Sequence, residues 1–482
     1  MKRSKRLCLL LGILVVACGA TFAVSKYEEH KEKIENSEEV ILSIDAGTVT
    51  SLSWECDSTK LAFHKGDNWI YDGDEAFPVN EEKIQEILGQ FEEFGVSFRI
   101  DDVDDLGQYG LDDPVCTVEI AAEDKQYTIL LGDYSTMDSE RYVSIGDGKV
   151  YLVKNDPYDY FDAALSDMID HDEIPDLSDA ANIEFSGKET YEIIFEQDSK
   201  QTYCADDVYF TKEDSKTIPL DTSLVNDYLK MIQGLKLTDY VSYNATQEEL
   251  QSCGLDDPDL TVQVGYTTTD EEGQETSDTF ILHIGYDEAG EKMEVQSSAG
   301  DTNSSSGGTG SEDENQTTVF LRVDGSKIIY KLVGEDSESL LSADVNSFRH
   351  HEVFPAELDV VNQVDITLEN TEYTLVSSKD GDEKVWSCQG DKVDIDEFSR
   401  ALKGLRIDSF TQETPDQMEE IFLTLHLDNE NFPQVQIGLY RYDGTSCLAV
   451  VDGEPMALVS RADAVDLIES VHGIVLGKGE DF

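Results

Sequence analysis

Gly110-Leu111-Asp112-Asp113-Pro114 returns 144 residues later as Gly254-Leu255-Asp256-Asp257-Pro258. The sequence on either side of each turn returns with it. Upstream of the first turn, Ile84, Ile87, Leu88 and Phe91 fall at i, i+3, i+4 and i+7 behind Asn80, which predicts an amphipathic helix with an asparagine N-cap. Upstream of the second, Leu224, Val225, Tyr228, Leu229 and Ile232 follow Asp221 in the same way. A third helix of this kind, with Ile395, Phe398, Leu402 and Leu405, lies near Asp394 and Asp396. The helices run into Gly95-Val96-Ser97-Phe98, Gly234-Leu235-Lys236-Leu237 and Gly404-Leu405-Arg406-Ile407. This predicts a left-handed glycine just past each helix and then a short strand. An aromatic strand is expected before each helix, at Trp69-Ile70-Tyr71, Val208-Tyr209-Phe210 and Val385-Trp386-Ser387.

Downstream, paired strands are expected at Thr117 to Ile120 and Tyr127 to Leu131, at Leu260 to Val264 and Phe280 to Ile284, and at Ile421 to Leu427 and Val435 to Ile437. The second strand of each pair ends at Gly132, Gly285 or Gly438. Hairpins then turn at Asp147-Gly148, Asp324-Gly325 and Asp452-Gly453, a dipeptide suited to a type I′ turn. Closing helices are expected around Tyr158 to Met168, Ser339 to Phe348 and Ala462 to Val471. The fold class is therefore α+β: three tandem related modules of antiparallel strands and hairpins with amphipathic helices, at 41–174, 175–356 and 357–482. The third module has Thr414-Pro415-Asp416 in place of the turn. The second carries two insertions. Thr267 to Ser277 is polar and acidic, and the segment near 300–316, with Ser304-Ser305-Ser306-Gly307-Gly308-Thr309-Gly310, is too polar to join a core.

Ahead of the modules, Lys2, Arg3, Lys5 and Arg6 precede the uncharged stretch Leu7 to Val24. As a helix that stretch would span ~27 Å, enough for a hydrocarbon core. The basic flank predicts a cytoplasmic N-terminus with the bulk of the chain outside. Residues 1–24 read as a signal anchor, as a lipoprotein signal with Val15-Val16-Ala17-Cys18 as lipobox and Cys18 lipidated, or as a cleaved signal peptide. The apolar run continuing through Val24 favours the anchor. Residues 25–40 form a charged linker. The 482 residues carry 35 Lys+Arg against 103 Asp+Glu, a net charge of −68. That balance excludes a phosphate-tracking nucleic-acid surface and basic docking onto anionic lipid. Cys56, Cys116, Cys204, Cys253, Cys388 and Cys447 are far apart with no CxxC, and read as buried thiols with room for one or two bridges.

The Gly-Leu-Asp-Asp-Pro turn, the Tyr127–Gly132 strand and the hairpin from Arg141-Tyr142-Val143 to Val150-Tyr151-Leu152 resemble the DUF4340 family, a bacterial envelope domain of unknown function. The resemblance covers nearly all of 41–356 and extends more weakly over 357–482. It implies a membrane-anchored envelope protein encoded beside an ABC transporter of the gliding-motility type. The permease or auxiliary subunit of that transporter is then the expected partner. The resemblance supplies no catalytic residues.

Catalytic signatures are missing from the sequence. There is no HExxH, GxSxG, Walker A or GxGxxG motif, and Gly146-Asp147-Gly148 belongs to a hairpin tip. Neighbours such as His350 and His351 rarely chelate together, and this pair reads as a solvated or capping pair. Asp101 to Gly107 imitates the start of an EF-hand but places Leu106 where an oxygen ligand is required. Asp112, Asp113, Asp256 and Asp257 are calcium candidates, although Asp side chains in such turns usually bond the local backbone. Paired carboxylates for glycan hydrolysis are compatible with so many acids. Yet the residues common to the copies are turn formers and core formers. The expectation is an extracytoplasmic accessory or binding subunit without catalysis or cofactor. The alternatives are an envelope hydrolase using paired carboxylates and a calcium- or solute-binding surface lipoprotein.

Overall fold

The structure, a computed structural model, describes residues 39–476 except 58, 102, 124, 154, 214–215, 270–272, 287–317 and 381–382. The N-terminal apolar stretch with Cys18, nearly all of the linker and the 300–316 insertion lie outside the described residues. Among the described residues the chain forms two compact units, one reaching to Asp172 and including Tyr240–Ala245, the other taking in Glu173–Asp239, 246–286 and 318–476.

In the first unit Val49–Cys56, Thr59–Lys65 and Trp69–Tyr71 make one antiparallel meander. Cys116–Ala122, Lys125–Ser135, Glu140–Ser144 and Val150–Val153 make a second. The two join in mid-sheet, where Leu52 faces Ile120 and Trp54 faces Val118. Between the meanders the chain passes through helix α1, Glu81–Gly89, and returns as Phe98–Ile100 on the far edge against Val150–Leu152. Glu39–Leu42 pairs separately with Phe94–Val96.

The second unit contains the same order twice. Ala180–Gly187, Thr190–Phe195, Tyr209–Glu213 and Lys216–Leu220 form one meander. Leu260–Thr269, Glu275–Tyr286, Thr318–Val323 and Ile329–Val333 form the other. Helix α2, Thr222–Gly234, connects them, and Ile183 opposite Val264 marks the central join. In the last sheet the meanders begin at Val361–Leu368 and Glu419–Leu427, joined where Ile366 faces Leu423. Helix α3, Asp396–Gly404, leads there to the edge strand Ile407–Phe410 beside Ala457–Val459.

Burial alternates along the central strands: Val364, Ile366 and Leu368 are buried while Gln363, Asp365 and Thr367 are not. This is the pattern of an antiparallel sheet with one covered face. The helices supply the cover. Ile84, Ile87 and Leu88 of α1, Val225, Leu229 and Ile232 of α2, and Phe398 and Leu402 of α3 are all buried. Trp54 stacks on Phe63 and meets Phe161 edge-on, each at 5.5 Å between ring centres. Phe185, at the corresponding register of its sheet, packs on Tyr228 and Phe348. Burial of one such side chain contributes about 1.5–3 kcal/mol.

Several local expectations need correction. Gly95 lies inside a strand, Gly234 and Gly404 are the last helical residues, and none of the three has positive φ. The helices end instead by tightening. Phe91, Leu235 and Leu405 donate their N–H to the carbonyl three residues back and turn their side chains inward. No strand follows Gly234 directly; the next one starts at Tyr240. The hairpins form as expected, but only Asp452-Gly453 has positive φ at both residues. In the other two the loop is longer, and glycine alone takes the left-handed conformation. The first two closing helices break into a short helix and a 3₁₀ turn, Tyr158–Phe161 with Leu165–Met168 and Glu335–Leu341 with Val345–Phe348. The third, α4, runs unbroken over Arg461–Leu476. The polar stretch from Thr267 mostly continues the long strands ending at Thr269 and starting at Glu275. Cys56 and Cys116 form a disulfide across the central strand pair, where the register sets them opposite each other.

Candidate functional site at His350

Three segments of the second unit converge on one imidazole. The first is the loop Thr202–Asp207, which leads into Tyr209–Glu213. Thr202 Oγ1 donates to Asp207 Oδ2 at 2.6 Å and accepts from the Cys204 N–H at 3.0 Å, folding the loop back on itself. Tyr203 stacks on Phe354 and meets Phe432, which fixes the loop to the core of the last sheet. The second segment is the start of α2. Asp221 caps it by accepting from the Ser223 and Leu224 N–H groups. Thr222 Oγ1 accepts from the Val208 N–H and donates to the Asp206 carbonyl. The third is Phe348–Glu352, anchored by Phe348 in the core and by the Asp221 N–H bond to the Phe348 carbonyl at 2.8 Å.

His350 Nε2 lies 2.8 Å from Asp207 Oδ1, and Nδ1 lies 3.8 Å from Asp221 Oδ2. The Asp207 side chain is 3% exposed and that of His350 15%. Burial works against the imidazolium. The hydrogen bond and charge of Asp207, with the charges of Asp221 and Glu352, outweigh it and raise the His350 pKa above its ordinary value. Cys204 Sγ, Asp207 and His350 present ligand atoms within 4.8 Å of one another, and so do Asp221, His350 and Glu352. Burial, with the nearby Asp207 charge, pushes the Cys204 thiol up to about 12. His351 takes no part: its ring faces Phe410 and its carbonyl accepts from Ile407.

The sequence reading of His350 and His351 as a solvated or capping pair does not describe His350, whose ring is largely buried against Asp207. Sequence spacing could not reveal the site, because Asp207 stands 143 residues away from it. The calcium candidates fall elsewhere. Asp112, Asp113, Asp256 and Asp257 are exposed on turns where Leu111 and Leu255 are buried and Gly110 and Gly254 have φ of 67° and 66°. Among the described residues, neither group able to hold a metal includes them. Trp69, Tyr209 and Trp386 are buried, which withholds their faces from a sugar. A groove of about 530 Å³ lies between α3 and α4, lined by Glu397, Arg400, Asp463, Asp466 and Glu469. Burial and the charges of Asp466 and Asp408 raise the pKa of Asp463 there.

These features define a protein of recurring antiparallel sheets, the second of which carries the His350 cluster. The chain belongs to the family described as domain of unknown function DUF4340, whose model matches residues 69–258 and again 213–424. The two matches begin 144 residues apart, the spacing of the two Gly-Leu-Asp-Asp-Pro turns. No curated protein matches the chain.

Proposed function

We propose that the protein is an extracytoplasmic, membrane-anchored accessory or binding subunit of an ABC transporter of the gliding-motility type, built from three copies of one module. The observation that carries the non-catalytic reading is what the copies share. Corresponding positions hold glycines, turn formers and core side chains such as Trp54 and Phe185, none of which is a nucleophile or general base. The Cys56–Cys116 disulfide supports an oxidising compartment. Anchoring is assigned to the uncharged stretch Leu7–Val24 behind its basic flank, on the sequence alone. The transporter association rests on the family resemblance.

Purification from native membranes should bring down the permease or auxiliary subunit; recovery of the chain alone would count against the association. A single cysteine introduced into 303–316 should react with an impermeant reagent on intact cells. Labelling only after lysis would reverse the topology. Cys18→Ala should leave the protein in the membrane, and release or precursor accumulation would favour lipidation. The acidic groove beside α4 favours a second reading, an envelope hydrolase with Asp463 as general acid. Under the subunit reading Asp463→Asn causes at most a graded loss of transporter-dependent phenotype. Complete loss with abundance unchanged would favour the hydrolase.

A further inference from the structure

We infer that Cys204, Asp207 and His350 form a binding site for a divalent transition metal of the zinc class, private to the second sheet. Thiolate, carboxylate and imidazole are the donors zinc takes, and their mixture selects against calcium and magnesium, which require oxygen. Tetrahedral zinc holds its ligand atoms about 3.3–3.8 Å apart. The three donors lie within 4.8 Å of one another; Nε2 and Oδ1, hydrogen-bonded at 2.8 Å, need to part by only about 0.5 Å to admit the ion, a small side-chain rotation. The shell behind them is built as well. Thr202 Oγ1 holds the second oxygen of Asp207 at 2.6 Å, and Asp221 faces the imidazole nitrogen that would not bind metal. At 3.8 Å the Asp221 carboxylate acts on the ring by charge, which favours a proton on Nδ1 and raises the basicity of Nε2, as the carboxylates behind ligating histidines do at shorter range. Tyr203, packed on Phe354, limits how far the Cys204 backbone can move.

The first unit acts as an internal control. Its helix α1 is capped by Asn80, whose N–H bonds the Met168 carbonyl at 2.9 Å, just as Asp221 bonds Phe348. Two residues beyond Met168 stands Asp170, where the second unit has His350. The fold thus closes the same backbone junction without the histidine or the capping aspartate. The cluster is an addition to the module rather than a requirement of it. On binding, the Cys204 S–H proton and the Nε2 proton of His350 leave to solvent. Bonds from Sγ, Nε2 and Oδ1 to the metal replace them, and a fourth position stays open to water.

The test uses the full chain in detergent, stripped with chelator and titrated with Co²⁺. One equivalent should bind with a thiolate-to-cobalt charge-transfer band, and Zn²⁺ should displace it. Cys204→Ser should abolish the band and weaken binding at least tenfold. Asp221→Asn should keep the band and weaken binding about 10–100-fold, since asparagine preserves the cap as Asn80 does. Circular dichroism reports folding of each variant; if Cys204→Ser unfolds, loss of binding is read on Asp207→Asn. Absence of stoichiometric binding, cobalt bound without the band, or a band surviving Cys204→Ser would overturn the site and leave a buried His–Asp pair.

Discussion

A Cβ at Gly132 would collide with the Tyr109 carbonyl, and one at Gly285 with the carbonyls of Cys253 and Gly254. Both glycines let a central strand press against the backbone of the Gly-Leu-Asp-Asp-Pro turn. Gly438 has no such turn above it; a Cβ there would meet the side chains of Tyr440 and Phe422. Gly132→Ala and Gly285→Ala should each cost about 1–3 kcal/mol by chemical denaturation, and Gly438→Ala less, because side chains rotate away where backbone cannot. A second residue-scale prediction concerns Glu420, whose side chain is 7% exposed between Arg441 at 2.7 Å and Arg461 at 3.4 Å. Burial opposes its charge, but the Arg441 hydrogen bond and both guanidinium charges prevail and hold its pKa below the usual carboxylate range. A depressed folded pKa means stabilisation present above the unfolded value and lost as pH falls through the folded one. Glu420→Gln should therefore destabilise by about 1–3 kcal/mol at neutral pH. Its denaturation midpoint should converge with the parent's in acid, and parallel curves down to low pH would show that the charge contributes nothing.

At the scale of elements, the caps Asn80 and Asp221 were legible because capping is local: each accepts from an N–H two or three residues on. The helix ends were not. Glycine after a periodic run signals a left-handed cap, yet here Leu235 and Leu405 are buried, and burying them turns the chain inward without a positive φ. Nothing in the structure requires glycine at 234 or 404, since a Cβ at either would touch nothing within 4 Å. Gly234→Ala and Gly404→Ala should accordingly raise stability by about 0.4–1 kcal/mol, read as a higher denaturation midpoint. A loss of stability would show that these helix ends need the freedom of glycine.

For the whole molecule, the disulfide ties the two meanders of the first sheet across 60 residues of chain. Removing it by Cys56→Ala with Cys116→Ala should cost about 4 kcal/mol through the entropy of the opened loop. The loss should be confined to the first unit, so that hydrogen exchange rises in Cys116–Ala122 while Glu419–Leu427 keeps its protection. A uniform rise would mean that the units unfold together.

Repetition and local chemistry were enough to read the antiparallel sheets, the helix starts and the hairpins from the sequence. Each depends on residues within a few positions of one another, or on a spacing that recurs. The pairing of Cys56 with Cys116 and the meeting of Thr202–Asp207, Asp221 and His350 depend on strand register and on how one segment packs over another. Neither leaves a trace in spacing. His350 and His351 read alike in the sequence, as a solvated or capping pair, whereas the fold turns one ring onto Phe410 and the other onto a carboxylate 143 residues away. The sequence set the elements from local preference. The tertiary structure chose their polar partners, because burial leaves a charged side chain stable only where an opposite charge or a donor has been brought to it.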